Sequence, residues 1–262
     1  MDGAMGSFLL SHGIPIGTCL EELNLTRPSL IEEIHRSYIA AGAEAITANT
    51  FGANRPRLAS CRKAHLLEKL NRAGLRIAKK VSGKLPVFAS IGPLGKEAKR
   101  MTSSEMFRYF KEQAAALEKE KPFGYLIETM PSLGEAETAT VAVREVTDRP
   151  VMTLMTFPRG LDQAFGETLE VIAATLRAAG ADVLGFNCGA GPEEACTFLK
   201  ALTLIDSGPF CARPAAGLPG SLVSPEEFAD WGLKLKRAGC QWIGGCCGTT
   251  PAYIRALQEK LT

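Results

Sequence analysis

Three cysteines in two short segments carry the strongest chemical signal in this sequence. Cys246 and Cys247 are adjacent in WIGGCCGTTP (242–251), and Cys188 lies 58 positions before Cys246, in GFNCG (185–189). Three thiolates with a fourth position open are typical of a catalytic zinc site, whereas closed structural sites use four protein ligands. The pattern therefore predicts a Zn²⁺ centre held by Cys188, Cys246 and Cys247, provided that the fold brings the two segments together.

The other cysteines bear on the alternatives. An iron–sulfur cluster or a closed four-cysteine zinc site would need a fourth thiolate, for which Cys211 is the candidate. A thiol-redox protein would instead join Cys246 to Cys247 in a disulfide and bind no metal. Buried free thiols are most often small apolar side chains, which is how we interpret the other four: Cys19, Cys61, Cys196 and Cys240.

Seven short apolar runs have the character of parallel strands that are buried on both faces. Helical patterns alternate with them, most of which begin at Ser or Thr and three of which end at Gly. Strands alternating with helices predict βαβ units and a parallel sheet. The strand runs are 44–51, 85–92, 125–129, 150–157, 182–189, 209–217 and 240–248, and the helical patterns are 29–42, 102–120, 166–180, 224–239 and 250–261.

An eighth strand would have to end near Met1 and Asp2, so that the first strand is short or the sequence begins late. Eight βα units in about 250 residues are the usual size of a (β/α)₈ barrel. We therefore predict an α/β protein with a single (β/α)₈ TIM barrel over residues 1–262. A doubly wound open sheet is the alternative.

In such barrels the catalytic groups lie at the carboxyl ends of the strands. That rule gathers Asp2, Asn49, Thr50, Glu128 and the three cysteines at one mouth. Adjacent residues on a regular strand point to opposite faces, so the cysteine pair can reach one ion only where the backbone turns sharply. Glycines permit such a turn, and they flank the pair at positions 244, 245 and 248.

Composition excludes several classes of protein. The net charge is +2, and the sequence has no dense Lys/Arg run. Nucleic acid or an anionic membrane is therefore not indicated as the partner. No apolar run reaches the roughly 20 residues that span a bilayer, and MDGAMGSFLL (1–10) lacks the basic start of a signal peptide. We expect a cytoplasmic protein with free or metal-bound thiols.

Taken together, five segments resemble the homocysteine S-methyltransferase family. Four of them are GGCCGTTPAYI (244–254), GFNCG (185–189), LIET (126–129) and DGAMG (2–6). The fifth, TANTFGANRPRL (47–58), is most similar to the homocysteine-binding module of cobalamin-dependent methionine synthase. The resemblance covers nearly the whole chain.

The resemblance implies a (β/α)₈ barrel with a three-cysteine zinc site at Cys188, Cys246 and Cys247. It also implies that Asp2 and Glu128 hold the amino group of homocysteine. The expected activity is a zinc-dependent transfer of a methyl group to the zinc-bound thiolate of homocysteine, giving methionine. No separate general base is expected, because a metal-bound thiol loses its proton outright.

The carboxylate of the substrate needs donors, for which we consider the backbone N–H groups of residues 90–92, and Ser90 is included among the substrate-binding residues. The family often reads Pro-Asn-Ala-Gly at 214–217, but this chain has Ala215 in the Asn position. A different thiol acceptor is therefore an open alternative.

We expect no cobalamin or folate domain within these 262 residues, because a barrel takes up their length. We expect methylcobalamin, carried by a separate corrinoid protein, as the methyl donor. Direct transfer from S-adenosylmethionine, S-methylmethionine or betaine is the alternative. Functions of other classes also remain, namely a non-catalytic zinc barrel, a thiol-redox barrel, or a phosphate-binding barrel that uses the helix start after GGCCGTTP.

Overall fold

The main sheet has seven parallel strands that are paired in the order of the chain. The computed structural model describes residues 1–157, 168–189, 191–218 and 220–262. The strands are β1 Ile46–Thr47, β2 Val87–Ile91, β3 Gly124–Met130, β4 Val151–Met155, β5 Val183–Cys188, β6 Phe210–Pro214, the short antiparallel pair β7 Gly217–Leu218 and β8 Ser221–Leu222, and β9 Trp242–Ile243. The sheet order is β1-β2-β3-β4-β5-β6-β9, without the reversal of a doubly wound sheet.

Each of the seven predicted strands is confirmed, although most are shorter than their apolar runs. The predicted strand at Met1 and Asp2 does not form. Instead the Met1 nitrogen donates to the Ile243 carbonyl over 2.7 Å, and the Gly245 N–H donates to the Asp2 carbonyl over 3.0 Å. On the other side, the Thr47 N–H donates to Asp2 Oδ2 over 2.6 Å. Residues 1–2 thus lie between β9 and β1, where an eighth barrel strand would lie.

Helices follow the strands and cover the outside of the sheet. They are α1 Gly6–Ser11, α2 Leu23–Thr26, α3 Pro28–Ala40, α4 Arg55–Ser60, α5 Leu67–Ser82, α6 Ser103–Glu118, α7 Leu133–Arg144, α8 Leu169–Ala178, α9 Pro192–Leu202, α10 Pro225–Arg237 and α11 Pro251–Leu261. Among the residues that the structure describes, no helix combines the length and the apolar character that crossing a membrane requires.

Side-chain capping fixes several helix starts. Ser224 accepts from the Glu227 N–H at the start of α10, as predicted. At α6 the cap is Thr102, which forms a reciprocal capping box with Glu105. Residues 166 and 167 of the predicted helix 166–180 lie outside the described residues, and α8 begins after the Thr168 cap.

The sheet separates two apolar layers. The larger layer lies between the strands and the helices. The smaller fills the inside of the barrel and consists of Ala45, Phe88, Leu126, Met152, Leu154, Val183 and Cys211, with Met1 and Trp242 packed against it. Because side chains alternate along a strand, residues two positions further along these strands also point inward, one layer nearer the mouth.

Candidate active site

The inward layer at the mouth of the barrel is polar. Thr47, Ser90, Glu128 and Arg213 each lie two positions after a residue of the apolar interior, on β1, β2, β3 and β6. All four are buried. The apolar interior and the polar layer above it therefore follow from one alternation of side chains along the strands, and the structure places Glu128 and Ser90 in the polar layer.

The three predicted metal ligands lie together at this mouth. The Sγ atoms of Cys188, Cys246 and Cys247 all lie within 4.8 Å of one another, and those of Cys188 and Cys247 are 3.6 Å apart. Ligands at about 2.3 Å from a tetrahedral zinc ion are about 3.8 Å from each other. The spacing of the thiols therefore fits one such ion. Within the described residues, no other group of three His, Cys, Asp or Glu side chains has this proximity.

Local backbone conformation brings the thiols together. Cys188 ends β5 with a φ of +63°, a left-handed conformation that is uncommon for a side-chain-bearing residue. Cys246 and Cys247 lie in the turn after β9, which is fixed to β6 because the Cys246 N–H donates to the Pro214 carbonyl over 2.9 Å. The cysteine pair has therefore left the regular strand, as the sequence requires.

The flanking glycines act in two different ways. Gly248 has a φ of +81°, which is the freedom expected of it. Gly244 and Gly245 are needed for close approach instead, since a Cβ at Gly244 would lie 2.7 Å from the Asp2 carbonyl and one at Gly245 would lie 2.4 Å from Thr249 Oγ1. Gly244 thus lets the turn pack directly on the N-terminal residues, and Gly245 lets it fold closely onto Thr249.

The three thiols cannot all ionise without a cation, because thiolates at this distance repel each other. Hydrogen bonds from Cys246 and Cys247 lower the pKa of Cys188 to about 3. The same interaction with Cys188 raises the pKa of Cys247 far above its usual range. A divalent ion would remove this conflict, because it binds thiolates and stabilises all three.

Asn187 supports the cluster and was not identified from the sequence. Its Nδ2 donates to Cys246 Sγ over 3.5 Å and to Thr129 Oγ1 over 2.7 Å. Its Oδ1 accepts from the Thr129 N–H over 2.6 Å. Thr129 itself has a φ of +61°. The side chain thus ties the ends of β3 and β5 to the cysteine turn.

Asp2, Glu128 and Ser90 form a second polar cluster together with Arg213. Arg213 Nη2 lies 2.9 Å from Asp2 Oδ1, and its Nη1 lies 3.5 Å from Glu128 Oε2. Ser90 Oγ donates to Glu128 Oε1 over 2.6 Å. The two carboxylates predicted to bind an amino group are therefore adjacent, with a guanidinium between them.

Arg213 was also missed from the sequence, although a signal was available. It is a charged residue inside the apolar run 209–217, and its parity with Cys211 predicts an inward side chain. Burial opposes the charged guanidinium, but Glu128 and Asp2 together raise the pKa of Arg213 above its ordinary value. Burial raises the pKa of Glu128 to about 7, against the opposing effect of Arg213.

Ser90 contributes its hydroxyl instead of its backbone. Its N–H donates to Thr50 Oγ1 over 3.1 Å, and the Gly92 N–H donates to the Phe51 carbonyl over 2.8 Å. These two donors, which we expected to face a substrate carboxylate, already have acceptors within the protein. In this arrangement Ser90 orients Glu128.

One cavity of about 320 Å³ connects the two clusters. Its described lining includes the three cysteines, Asp2, Thr47, Ser90, Glu128 and Arg213, and it extends past Asn49 to Phe51 and Arg57. Cys211 lies deeper in the barrel, where its Sγ contacts Met1 Sδ at 3.9 Å. Among the described residues Cys211 is not part of the thiol group, so this arrangement does not form the alternative four-cysteine site.

A family model described as homocysteine S-methyltransferase matches residues 1–261. This chain belongs to the homocysteine S-methyltransferase family. The resemblance seen in the sequence is thereby confirmed, and the protein is a member of a family of methyl-transferring enzymes.

Two relatives and one solved structure show how this family member compares with known proteins. Methionine synthases of Mycobacterium tuberculosis and Mycobacterium leprae are each 30% identical to it over 97% of the chain, which spans 24% and 23% of their lengths. The metallated form of the homocysteine methyltransferase MmuM from Escherichia coli superposes with a TM-score of 0.86 at 23% identity, covering 99% of this chain and 95% of that one. Together with the sequential parallel sheet, this shared fold confirms the predicted barrel class.

Proposed function

We propose that this homocysteine S-methyltransferase family member is a zinc-dependent enzyme that transfers a methyl group to the thiol of homocysteine, giving methionine. The observation that carries the proposal is the position of three convergent thiols and a carboxylate cluster on the wall of one cavity. Homocysteine has a thiol at one end and an ammonium group at the other, so its two ends match these two features.

Cys188, Cys246 and Cys247 would hold the Zn²⁺ ion. When bound there, zinc supplies Lewis-acid chemistry that keeps an acceptor thiol anionic at neutral pH. Three protein ligands are the number typical of catalytic zinc sites. Asn187 would hold Cys246 in place through its 3.5 Å contact with Sγ.

The carboxylate cluster would orient the amino acid. Glu128 and Asp2 attract the ammonium group of the substrate, and Ser90 holds one oxygen of Glu128 at 2.6 Å. Only 11% of the Glu128 side chain and 4% of the Asp2 side chain are exposed. Little water therefore competes with the ammonium group for these carboxylates.

For the methyl donor we propose methylcobalamin on a separate corrinoid protein. The segment TANTFGANRPRL (47–58), which is most similar to the homocysteine-binding module of cobalamin-dependent methionine synthase, supports this choice. Direct transfer from S-adenosylmethionine, S-methylmethionine or betaine is the second candidate. For the substrate, a different acceptor thiol is the alternative. Ala215 is buried, and its N–H donates to the Cys188 carbonyl. Beside Cys188 its side chain therefore offers only a methyl group.

Metal analysis tests the zinc site. The purified wild type should hold about one zinc per chain, and the Cys188→Ala and Cys247→Ala variants should lose it. The Cys61→Ala variant is the matched control, because this half-buried thiol lies outside the cluster and its loss should leave the zinc content unchanged. A wild type without zinc, or retention of zinc in both cluster variants, would refute the proposal.

Methyl-transfer assays then test substrate and donor. The zinc-loaded enzyme is mixed with L-homocysteine and either methylcobalamin or S-adenosylmethionine, and methionine is measured. We expect methionine from methylcobalamin and none from S-adenosylmethionine. The opposite result would favour the second donor, and methylation of another thiol in preference to homocysteine would overturn the proposed acceptor.

A further inference from the structure

We propose that Arg213 is a positioning residue for the acceptor: Asp2 serves as the counterion of Arg213, and Glu128 is thereby left to receive the ammonium group of the substrate. This inference rests on the proposed function and divides the two carboxylates between two roles. Arg213 would set specificity by pairing with Asp2 and leaving Glu128 available to the substrate.

The hydrogen bonds of Asp2 are directed into the protein. Its Oδ1 accepts from Arg213 Nη2 and from Thr47 Oγ1, each over 2.9 Å. Its Oδ2 accepts from the Thr47 N–H over 2.6 Å. Asp2 therefore has three donors within the described protein, and its side chain is 4% exposed.

Glu128 is less fully engaged. Ser90 occupies Oε1, but the contact from Oε2 to Arg213 Nη1 is 3.5 Å, longer than a normal charge-assisted hydrogen bond. The Glu128 side chain is 11% exposed and lines the cavity. Its Oε2 thus has the free acceptor capacity that an ammonium group needs.

Arg213 is anchored away from Glu128 by several acceptors. In addition to Asp2, its Nη1 donates to Thr47 Oγ1 over 3.1 Å, and its Nη2 donates to the Gly3 carbonyl over 3.4 Å. These contacts hold the guanidinium toward β1 and the N-terminal residues. The guanidinium can leave Glu128 to another cation without losing its own partners.

In the proposed arrangement each carboxylate has one cation. Arg213 is the counterion of Asp2, and the ammonium group of the substrate is the counterion of ionised Glu128. The other charged residues of the described lining, Glu21 and Arg57, lie toward the far end of the cavity, where Glu21 accepts from the Gly52 N–H over 2.6 Å and Arg57 lies over the Phe51 ring.

The test is a set of charge-matched variants in the zinc-loaded protein: Asp2→Asn, Asp2→Asn with Arg213→Met, and Glu128→Gln. Isothermal titration calorimetry measures the binding of L-homocysteine and of 4-sulfanylbutanoate, the analogue that lacks the amino group. Zinc content and thermal unfolding are recorded for every variant.

We expect Asp2→Asn to weaken homocysteine binding by about tenfold or more, because Arg213 then turns fully to Glu128 and competes with the ammonium group. Removing Arg213 as well should return the affinity to within about threefold of wild type, since Glu128 is free again. Glu128→Gln should abolish the preference for homocysteine over the analogue.

Recovery in the double variant supports the proposal, because a merely structural Arg213 would give no recovery. A double variant that binds no better than Asp2→Asn overturns the proposal, as does an Asp2→Asn variant that binds like the wild type. If Asp2→Asn does not fold, the homocysteine affinity of the double variant is compared directly with that of the wild type. A zinc-loaded wild type that does not bind homocysteine refutes the proposed function instead, so the two failures are distinguishable.

Discussion

Gly185→Ala is the substitution for which the geometry predicts the largest effect from a single methyl group. A Cβ at position 185 would lie 1.8 Å from the Cys211 carbonyl oxygen, which belongs to the neighbouring strand β6. Real Cβ contacts essentially never fall below 3.0 Å, so the two backbones must separate by more than 1.2 Å. The obstacle is backbone and cannot rotate away. We expect a loss of about 3 kcal/mol in the free energy of unfolding.

The substitution should also impair the proposed metal centre. Gly185 pairs with Cys211, and three residues later on β5 Cys188 pairs with Pro214. Separating these strands moves the Cys188 thiol relative to the turn that carries the cysteine pair. Zinc affinity should therefore fall along with stability.

Thermal unfolding and competition for zinc with a chromophoric chelator measure the two effects. A loss of 3 kcal/mol corresponds to a fall in Tm on the order of 8 °C. Gly134→Ala is the matched control, since a Cβ there meets nothing within 4 Å and the residue lies in helix α7. It should be neutral or slightly stabilising. A Gly185→Ala protein with the Tm and zinc affinity of wild type would refute the close packing of β5 on β6.

Three further predictions concern acid stability, the metal centre and a helix start. His35 is buried, neither of its ring nitrogens is hydrogen-bonded among the described residues, and burial lowers its pKa to about 4. An unfolded histidine titrates near pH 6.5, so the unfolded state binds a proton first as the pH falls. The free energy of unfolding should therefore decrease by about 2 kcal/mol between pH 7 and pH 5. Urea unfolding of His35→Leu should lack this part of the loss, and equal losses in both proteins would contradict the reasoning. Asn187→Ala removes the donor to Cys246 Sγ and should weaken zinc binding by about 10- to 100-fold in chelator competition; unchanged affinity would show that the contact does not support the site. Thr102→Ala removes the capping box of α6 and should cost about 1 kcal/mol in urea unfolding without changing the zinc content, so a change in zinc content would contradict a purely local effect.

The sequence was sufficient for the sheet and for the thiol cluster. The apolar run 85–92 contains the strand Val87–Ile91, which is buried at every position. Cys188 and the adjacent cysteine pair could be predicted to converge because each follows a strand at the same edge of the barrel. The run 240–248 was overestimated, because its glycines leave the sheet after Ile243 to make the turn.

The remaining features depend on contacts that no local pattern encodes. Two residues at the N-terminus have no periodicity, and hydrogen bonds to residues more than 40 positions away decide where Asp2 lies. The alternation of side chains along β5 and β6 would have predicted that Asn187 and Arg213 point inward. Their hydrogen-bond partners, however, come from other strands. Side-chain alternation predicts which way a residue points, while the partner that it meets depends on how the barrel closes.

The Asp2 carboxylate belongs both to the wall of the cavity and to the closure of the barrel. The carboxylate accepts from Thr47 of β1 and from Arg213 of β6, while the backbone carbonyl of Asp2 accepts from the Gly245 N–H beyond β9. The closure of the barrel between β9 and β1 and the wall of the cavity therefore share one set of hydrogen bonds. If the barrel opened at residues 1–2, the proposed binding site for the acceptor would be disrupted as well.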